Sequence, residues 1–239
     1  MRRFFAPQES FYDKTVALDA DETRHLRDVL RLKIGDEVSV FDGAGKEFAC
    51  TINEIGKKET VLAVTGAIEP SSPESPFAIT IAATVLNGEK YDLIVQKAVE
   101  LGVTKLIPLI TIRCDVKQKD AARRLERWRR IAMEATKQTG RAKLMEITEP
   151  AAFDKLLGEL NGENAILFSE RDGVDFSTIT ADKKITALYG PKGGWDDVEL
   201  KMAAEHDINI VTLGGRTLRA ETAAIAITAI LQHRFGDLN

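Results

Sequence analysis

Three of the chain's seven prolines fall in one short run, Pro70-Ser71-Ser72-Pro73-Glu74-Ser75-Pro76. Each proline fixes its own φ, offers no amide hydrogen and pushes the residue before it out of the helical region. The run therefore stays extended and enters neither a helix nor a central strand. The hydrophobic period differs on its two sides, which predicts residues 1–70 as one domain, 71–76 as a Pro/Ser linker and 77–239 as a second domain. A chain of 239 residues is long enough to bury a core in each.

Ahead of the linker, alternating segments run over Glu37 to Phe41, Glu47 to Ile55 and Thr60 to Ile68. The first two are joined by Asp42-Gly43-Ala44-Gly45-Lys46, a turn built from residues that tolerate positive φ. This pattern predicts a small β-barrel or sandwich. A short helix precedes it, with Leu26, Val29 and Leu30 on one stripe and Arg24, Arg27 and Arg31 on another. Those arginines serve either to solubilise the helix or to comb the phosphates of a nucleic acid.

Beyond the linker the pattern becomes an alternation of strands and helices. Nearly continuous apolar runs at Phe77 to Leu86, Val103 to Ile110, Ala165 to Phe168, Ile185 to Tyr189 and Ile208 to Leu213 read as buried parallel strands. Helical patterns occupy Glu89 to Leu101, Asp120 to Thr139, Asp196 to Glu205 and Glu221 to Arg234. The alternation predicts an open parallel α/β sheet. In the last helix Ile225, Ile227, Ala229 and Ile230 point in several directions, so it is either buried within one chain or shared with a second copy.

Hydrophobic residues at 44% and charged residues at 29% describe a folded, soluble protein. No stretch reaches the roughly 18 apolar residues of a membrane span, and the N-terminus runs into Pro7 and Glu9 instead of an apolar signal core. The expected location is the cytoplasm. Cys50 and Cys114 lack paired spacing and His25, His206 and His233 are scattered, which supports neither a disulfide framework nor a metal site. The net charge of -4 hides a basic segment: Arg113 to Lys143 holds eleven Lys or Arg against four Asp or Glu. Either a solvated helix face or a nucleic-acid contact accounts for it.

In an open parallel sheet, ligands bind at the carboxyl ends of the strands. Three loops stand there: Ser169-Glu170-Arg171-Asp172-Gly173, Gly190-Pro191-Lys192-Gly193-Gly194 and Gly214-Gly215-Arg216-Thr217-Leu218-Arg219. Two are dense in glycine, which lets main chain approach a ligand closely. Neither GxxxxGK[ST] nor GxGxxG occurs, so a nucleotide-dependent enzyme of ordinary doubly wound fold lacks its phosphate loop.

The run Gln96-Lys97-Ala98-Val99-Glu100-Leu101-Gly102-Val103, with Ile107-Pro108 and Arg113-Cys114, resembles the first α/β unit of a known family. Glu134-Ala135 with Gln138 and Arg141, then Gly190 to Gly194, then Leu213 to Ala223 resemble its later signatures in the same order. The family is the SPOUT-type uridine-N3 methyltransferases of small-subunit ribosomal RNA, the RsmE family. Met1-Arg2-Arg3-Phe4-Phe5 and His25 to Gly45 match as well, so the similarity runs from end to end.

The resemblance implies an N-terminal PUA-like RNA-binding β-barrel and a C-terminal SPOUT α/β parallel sheet with a deep trefoil knot, a feature that no periodicity suggests. It implies S-adenosyl-L-methionine as cofactor, near Leu167, Gly190, Gly194, Leu213, Gly214 and Leu218. The implied partners are 16S ribosomal RNA or the small ribosomal subunit and a second copy in a homodimer, with no membrane and no metal. Three positions depart from the family pattern: Lys192 stands where Glu is usual, Gly215 where Pro is usual and Ile112 where Glu is common.

The function expected on these grounds is methylation of uridine N3 in 16S ribosomal RNA. A second reading, prompted by Lys192, is a catalytically impaired RNA-binding ribosome-assembly module of the same fold. For catalysis the candidates are Arg219 as main stabiliser of a uridine anion, Arg216 beside it and Arg141 to orient a base. For RNA they are Arg24, Arg27, Arg31, Arg123, Arg124 and Arg130.

Overall fold

The computed structural model describes residues 2–160 and 164–238. Met1 of the N-terminal motif, and residues 161–163 and 239 of the expected second domain, lie outside the described residues. The chain divides into two compact units, Met1–Glu74 with Met133–Leu144, and Ser75–Ala132 with Met145–Asn239. The first break falls inside the proline run, and a segment far beyond it counts with the first unit.

In the first unit the strands are β1 (Arg2–Phe5), β2 (Phe11–Tyr12), β3 (Thr15–Leu18), β4 (Glu37–Phe41), β5 (Glu47–Ile55) and β6 (Thr60–Ile68). They form one sheet in the order β1-β4-β5-β6-β3-β2, antiparallel throughout except for the parallel β1–β4 pair. The three alternating segments are strands over the residues expected; β1 to β3 were too short to show a period. Phe4, Leu18, Val38, Val40, Leu26 and Leu62 fill the core on one face. In the β4–β5 turn Asp42 accepts from the amides of Ala44 and Lys46 at 2.8 and 3.0 Å, and Gly43 sits at φ +75°.

The expected short helix is α1 (Ala20–Arg24), capped by Asp19, whose carboxylate accepts from the amides of Asp21 and Glu22. It continues as a π-helical turn over His25–Val29, in which the amide of Leu30 donates to the carbonyl of His25 at 3.0 Å. The wider turn rotates Val29 off the apolar stripe, leaving it 64% exposed. Arg31 lies past the helix at φ +54°, so Arg24, Arg27 and Arg31 do not share one helical face.

Residues 133–144 are tied to this unit by charge. Arg3 donates to both oxygens of Glu47, at 2.9 and 3.0 Å, and to the carbonyl of Thr136 at 3.0 Å. Lys137 donates to the buried carboxylate of Glu22. Burial raises the pKa of Glu22 against the lowering effect of Lys137; for Lys137, burial works downward, but Glu22 and Glu134 together raise its pKa.

The second unit contains β7 (Ala78–Thr84), α2 (Glu89–Glu100), β8 (Lys105–Ile110) and α3 (Gln118–Ala122), followed by α4 (Leu125–Thr139), which passes into the first unit after Ala132. Then come β9 (Glu146–Ile147), β10 (Ala151–Ala152), α5 (Phe153–Glu159), β11 (Ala165–Phe168), β12 (Val174–Asp175), β13 (Lys184–Tyr189), α6 (Asp197–Glu205), β14 (Asn209–Thr212) and α7 (Ala220–Phe235). The sheet order is β10-β8-β7-β13-β11-β14-β12, with β9 on β8, and every pair is parallel. The single helix expected over 120–139 is interrupted at residues 123–124. Past that break Leu125, Trp128, Ala132 and Ala135 do form one buried face.

The apolar helix α7 buries Ala224, Ile227, Thr228, Leu231 and Gln232 within the chain and leaves Ile230 39% exposed. Gln232 donates to the carbonyl of Leu101 at 2.8 Å, where α2 stops. Gly102, at φ +72°, leaves the space this hydrogen bond needs: a Cβ there would lie 2.7 Å from the Gln232 amide nitrogen.

Candidate functional site

Strands β13, β11 and β14 are neighbours in space although their chain order is β11, β13, β14. Their register pairs Phe168 with Tyr189 on one side and with Val211 on the other, so all three end at one level. The loops that follow must therefore leave the sheet together. They enclose a cavity of about 890 Å³ lined by Phe168, Ser169, Glu170, Tyr189 to Trp195, Thr212 to Leu218, and Ala220, Ala223, Ile227 and Ile230 of α7. That volume suits a cofactor-sized ligand.

The loop after β13 is folded back by packing. The buried Trp195 indole donates to the carbonyl of Phe168 at 2.8 Å and lies against Gly190, where a Cβ would come within 2.9 Å of its Nε1. Gly194 sits at φ +70°, a conformation that disfavours a side chain, with the Glu170 carboxylate 2.5 Å from the position of a Cβ. Two arginines hold the loop from outside. Arg113 donates to the carbonyl of Gly193 at 3.0 Å and to Asp196 at 3.1 Å, and Arg171 donates to the carbonyl of Trp195 at 3.2 Å and to Asp197 at 2.6 Å. Below it Glu199, 1% exposed, accepts from the amides of Ile112 and Asp196 and completes the N-terminal cap of α6.

The loop after β14 differs. A Cβ at Gly214 would meet no heavy atom within 4 Å beside the cavity, and the residue's φ is not in the left-handed region. Its main chain is open to close approach by a ligand, which is what a main-chain cradle for a cofactor requires. The floor is apolar: Ile227 and Ala223 of α7, and Tyr189, whose hydroxyl meets that of Thr228 at 3.0 Å. Burial pushes the Tyr189 phenol well above its ordinary range and keeps it neutral. Among the lining residues the ionisable side chains at neutral pH are Glu170, Lys192 and Arg216. No cysteine or histidine is among them.

Of the residues expected near a cofactor, Gly190, Gly194, Leu213, Gly214 and Leu218 line the cavity, as does Arg216. Leu167 does not; it is fully buried in the apolar core beside Leu188 and Trp195, and its neighbour Phe168 reaches the wall. Alternation along a strand explains the difference. Arg219 is the exposed N-cap residue of α7, between Leu218 and Ala220 of the lining. Arg141 is not among the lining residues. It sits in the first unit, 3% exposed, and donates to both oxygens of Glu74 at 3.0 and 2.7 Å. Trp195 carried no motif; Glu170 and Arg171 stood in a strand-end loop, and Arg113 in a stretch that carries the family resemblance.

The basic segment is less bare than its composition. Arg113, Arg123, Arg127, Arg129, Lys137 and Arg141 each hold a carboxylate, from Asp196, Asp120, Asp92, Glu126, Glu22 and Glu74. Arg24 pairs with Asp21 and Arg27 with Asp28, while Arg124 donates to the carbonyl of Leu86 at 3.5 Å. Arg31 and Arg130 are exposed with no ion pair among the described residues. Exposed pairs such as Arg123–Asp120 are worth about 0 to 1 kcal/mol, so their arginines stay available to phosphate.

Comparison with known proteins gives a consistent picture. The RNA methyltransferase domain family matches residues 73–232 and the RNA methyltransferase PUA domain family residues 18–64. The chain is 33% identical to ribosomal RNA small subunit methyltransferase E of Rickettsia conorii, over 92% of this chain and 89% of that one. It is 32% identical to the Aquifex aeolicus protein of the same name, over 89% and 91%. Among solved structures, the ribosomal RNA small subunit methyltransferase E of Neisseria gonorrhoeae bound to S-adenosyl methionine is similar over the whole of both chains, with a TM-score of 0.91 at 32% identity.

Proposed function

The chain belongs to the RNA methyltransferase family that includes ribosomal RNA small subunit methyltransferase E, and from that premise we propose that it moves a methyl group from S-adenosylmethionine to N3 of a uridine in 16S ribosomal RNA. The observation that carries this reading is the cavity at the ends of β13, β11 and β14, walled by glycine loops whose main chain a cofactor can touch. The matching PUA domain supports RNA as the substrate. Mass mapping of ribosomal RNA from cells with and without the protein tests it: one uridine should lose a methyl group in the deletion, and an unchanged map overturns the assignment. Retained S-adenosylmethionine binding with no methylation would favour the impaired assembly module instead.

When bound, S-adenosylmethionine supplies an electrophilic methyl carbon on a sulfonium. The residues of the chain do the rest. Uridine N3 is an imide nitrogen whose lone pair becomes available once a base takes its proton, so the site must support negative charge on O2 and O4. Arg216 on the cavity wall and Arg219 at the start of α7 provide permanent positive charge and paired donors for that purpose. The N-terminus of the 16-residue helix adds to the same field. Arg141, whose guanidinium holds Glu74 within the first unit, is the candidate to orient the base, reaching a site across the dimer.

The finer architecture follows the family. The first unit's sheet is read as a PUA-like barrel. In the family reading the second unit carries a deep trefoil knot. Residues 71–76 serve as the linker between domains 1–70 and 77–239, and the enzyme works in the cytoplasm. Ile230 and Leu218, 39% and 45% exposed beside the cavity, favour a homodimer that covers them. Light scattering at micromolar concentration should give twice 26.3 kDa; a monomer there rules out a site shared between copies.

RNA is gripped by Arg24, Arg27, Arg31, Arg123, Arg124 and Arg130. Replacing Arg123, Arg124 and Arg130 by Ala should weaken binding across RNA sequences and lower the salt slope by about one unit for each phosphate no longer neutralised. Filter binding over a salt series measures it, and an unchanged slope leaves the segment a solvated surface.

A further inference from the structure

The charged wall of the cavity is lopsided. Lys192 and Arg216 bring two positive charges, and Glu170 is the one carboxylate among the lining residues. Glu170 is only loosely held: its side chain is 40% exposed, it makes no hydrogen bond among the described residues, and its ion pair with Arg171 is long, at 3.8 Å. The Arg171 guanidinium is already held by Asp172 at 3.0 Å, Asp197 at 2.6 Å and the carbonyl of Trp195 at 3.2 Å. Meanwhile the chain makes room for this carboxylate. Gly194 turns through φ +70°, and the Glu170 carboxylate lies directly beside it, 2.5 Å from where a Cβ would stand. The loop after β11 thus keeps a loosely held anion on the edge of a cavity whose other charged lining residues are cations.

We propose that Glu170 is the counter-charge for the cationic methyl donor, and that its balance against Lys192 and Arg216 makes the cavity prefer the donor to its demethylated product. The inference rests on the methyl-donor reading above and deepens it. S-adenosylmethionine and S-adenosylhomocysteine share the same adenosine, ammonium and carboxylate; they differ by the methyl group and the sulfonium charge. A wall carrying only Lys192 and Arg216 would repel that extra charge and hold the product more tightly. With Glu170 in place the donor gains an attraction that disappears once the methyl group has gone, which favours loading before the reaction and release after it. Across a half-exposed site one unit charge at close range changes affinity by about tenfold.

The test is calorimetric titration of the full-length protein with S-adenosylmethionine and with S-adenosylhomocysteine. Glu170→Gln keeps the size and removes the charge, and thermal melting confirms that it folds. The expected result is a loss of about tenfold in affinity for S-adenosylmethionine with a clearly smaller loss for S-adenosylhomocysteine. Lys192→Gln should move the ratio the other way, and it provides an independent lever should Glu170→Gln fail to fold. Wild-type binding of both ligands with a donor-to-product ratio unmoved by either substitution overturns the inference alone. Equal losses for both ligands in Glu170→Gln also overturn it, since they mark a general structural role. A wild-type protein that binds neither ligand overturns the methyl-donor assignment itself, and this inference with it.

Discussion

Arg219→Ala is expected to fold and to bind S-adenosylmethionine with near-native affinity while kcat falls about 100- to 1000-fold, the usual cost of removing one donor to developing negative charge. The expectation comes from where the side chain stands. Arg219 is the N-cap of α7, exposed, between two residues that line the cavity. It acts electrostatically on Glu221, whose carboxylate Lys90 already holds at 3.3 Å. Partial burial works to raise the pKa of Glu221, but its own amide, Lys90 and Arg219 together hold it below the ordinary glutamate range. Glu221 therefore stays ionised without Arg219, and the helix start keeps its ion pair. A side chain that only braced this turn would, when removed, lower the melting temperature and cofactor affinity together. Single-turnover methylation assays with melting curves separate the two roles, and a variant with full turnover refutes both.

The second large effect is on stability. Lys137→Met should cost about 3 to 5 kcal/mol, because it leaves the Glu22 carboxylate buried without its partner. The side chains of Glu22 and Lys137 are 7% and 17% exposed; Lys137 donates to Oε1 of Glu22, and the buried Oε2 has no hydrogen-bond partner among the described residues. The pH dependence has a definite sign. A carboxyl whose folded pKa is raised contributes most stability below its ordinary value of 4.5 and loses that contribution as pH rises through the raised value. Removing Lys137 takes away the interaction that opposed the rise. The deficit of the variant against the native protein should thus be smallest in acid and largest from neutral pH upward, until Lys137 itself titrates above 10.5 in the native protein. Urea unfolding at several pH values measures it; a small, pH-independent deficit would mean that Glu22 is solvated.

These two residues also show where sequence reasoning stopped. Arg219 lay in a glycine-rich loop at the end of an apolar run, and strand ends in parallel sheets are where ligands bind, so it was visible as a candidate. Lys137 was one cation among eleven in the segment from Arg113 to Lys143. Nothing near it in the chain pointed to Glu22, 115 residues away. Glu170 and Trp195 fell between these cases: they lay beside the right loops, but the contacts that give them meaning, Glu170 against Gly194 and Trp195 to Phe168, join different loops.

Hydrophobic period and turn chemistry act over a few residues, and what depends on them the chain determines alone. That covers the strands at Glu37–Phe41, Glu47–Ile55 and Thr60–Ile68, the buried parallel strands after the proline run, and the glycine loops that end them. The π-helical turn at His25–Val29 and the break at residues 123–124 escaped because the local pattern continues through both. Tertiary structure alone decided that β11 lies between β13 and β14, so that three loops meet around one cavity. It decided too that residues 133–144 count with the first unit, and that four of the eleven cations of the basic segment are paired with carboxylates from elsewhere in the chain. Strand order and ion pairing are set by interactions between residues far apart in the chain. Their free energy depends on which surfaces are buried together, and that information is absent from any window of sequence.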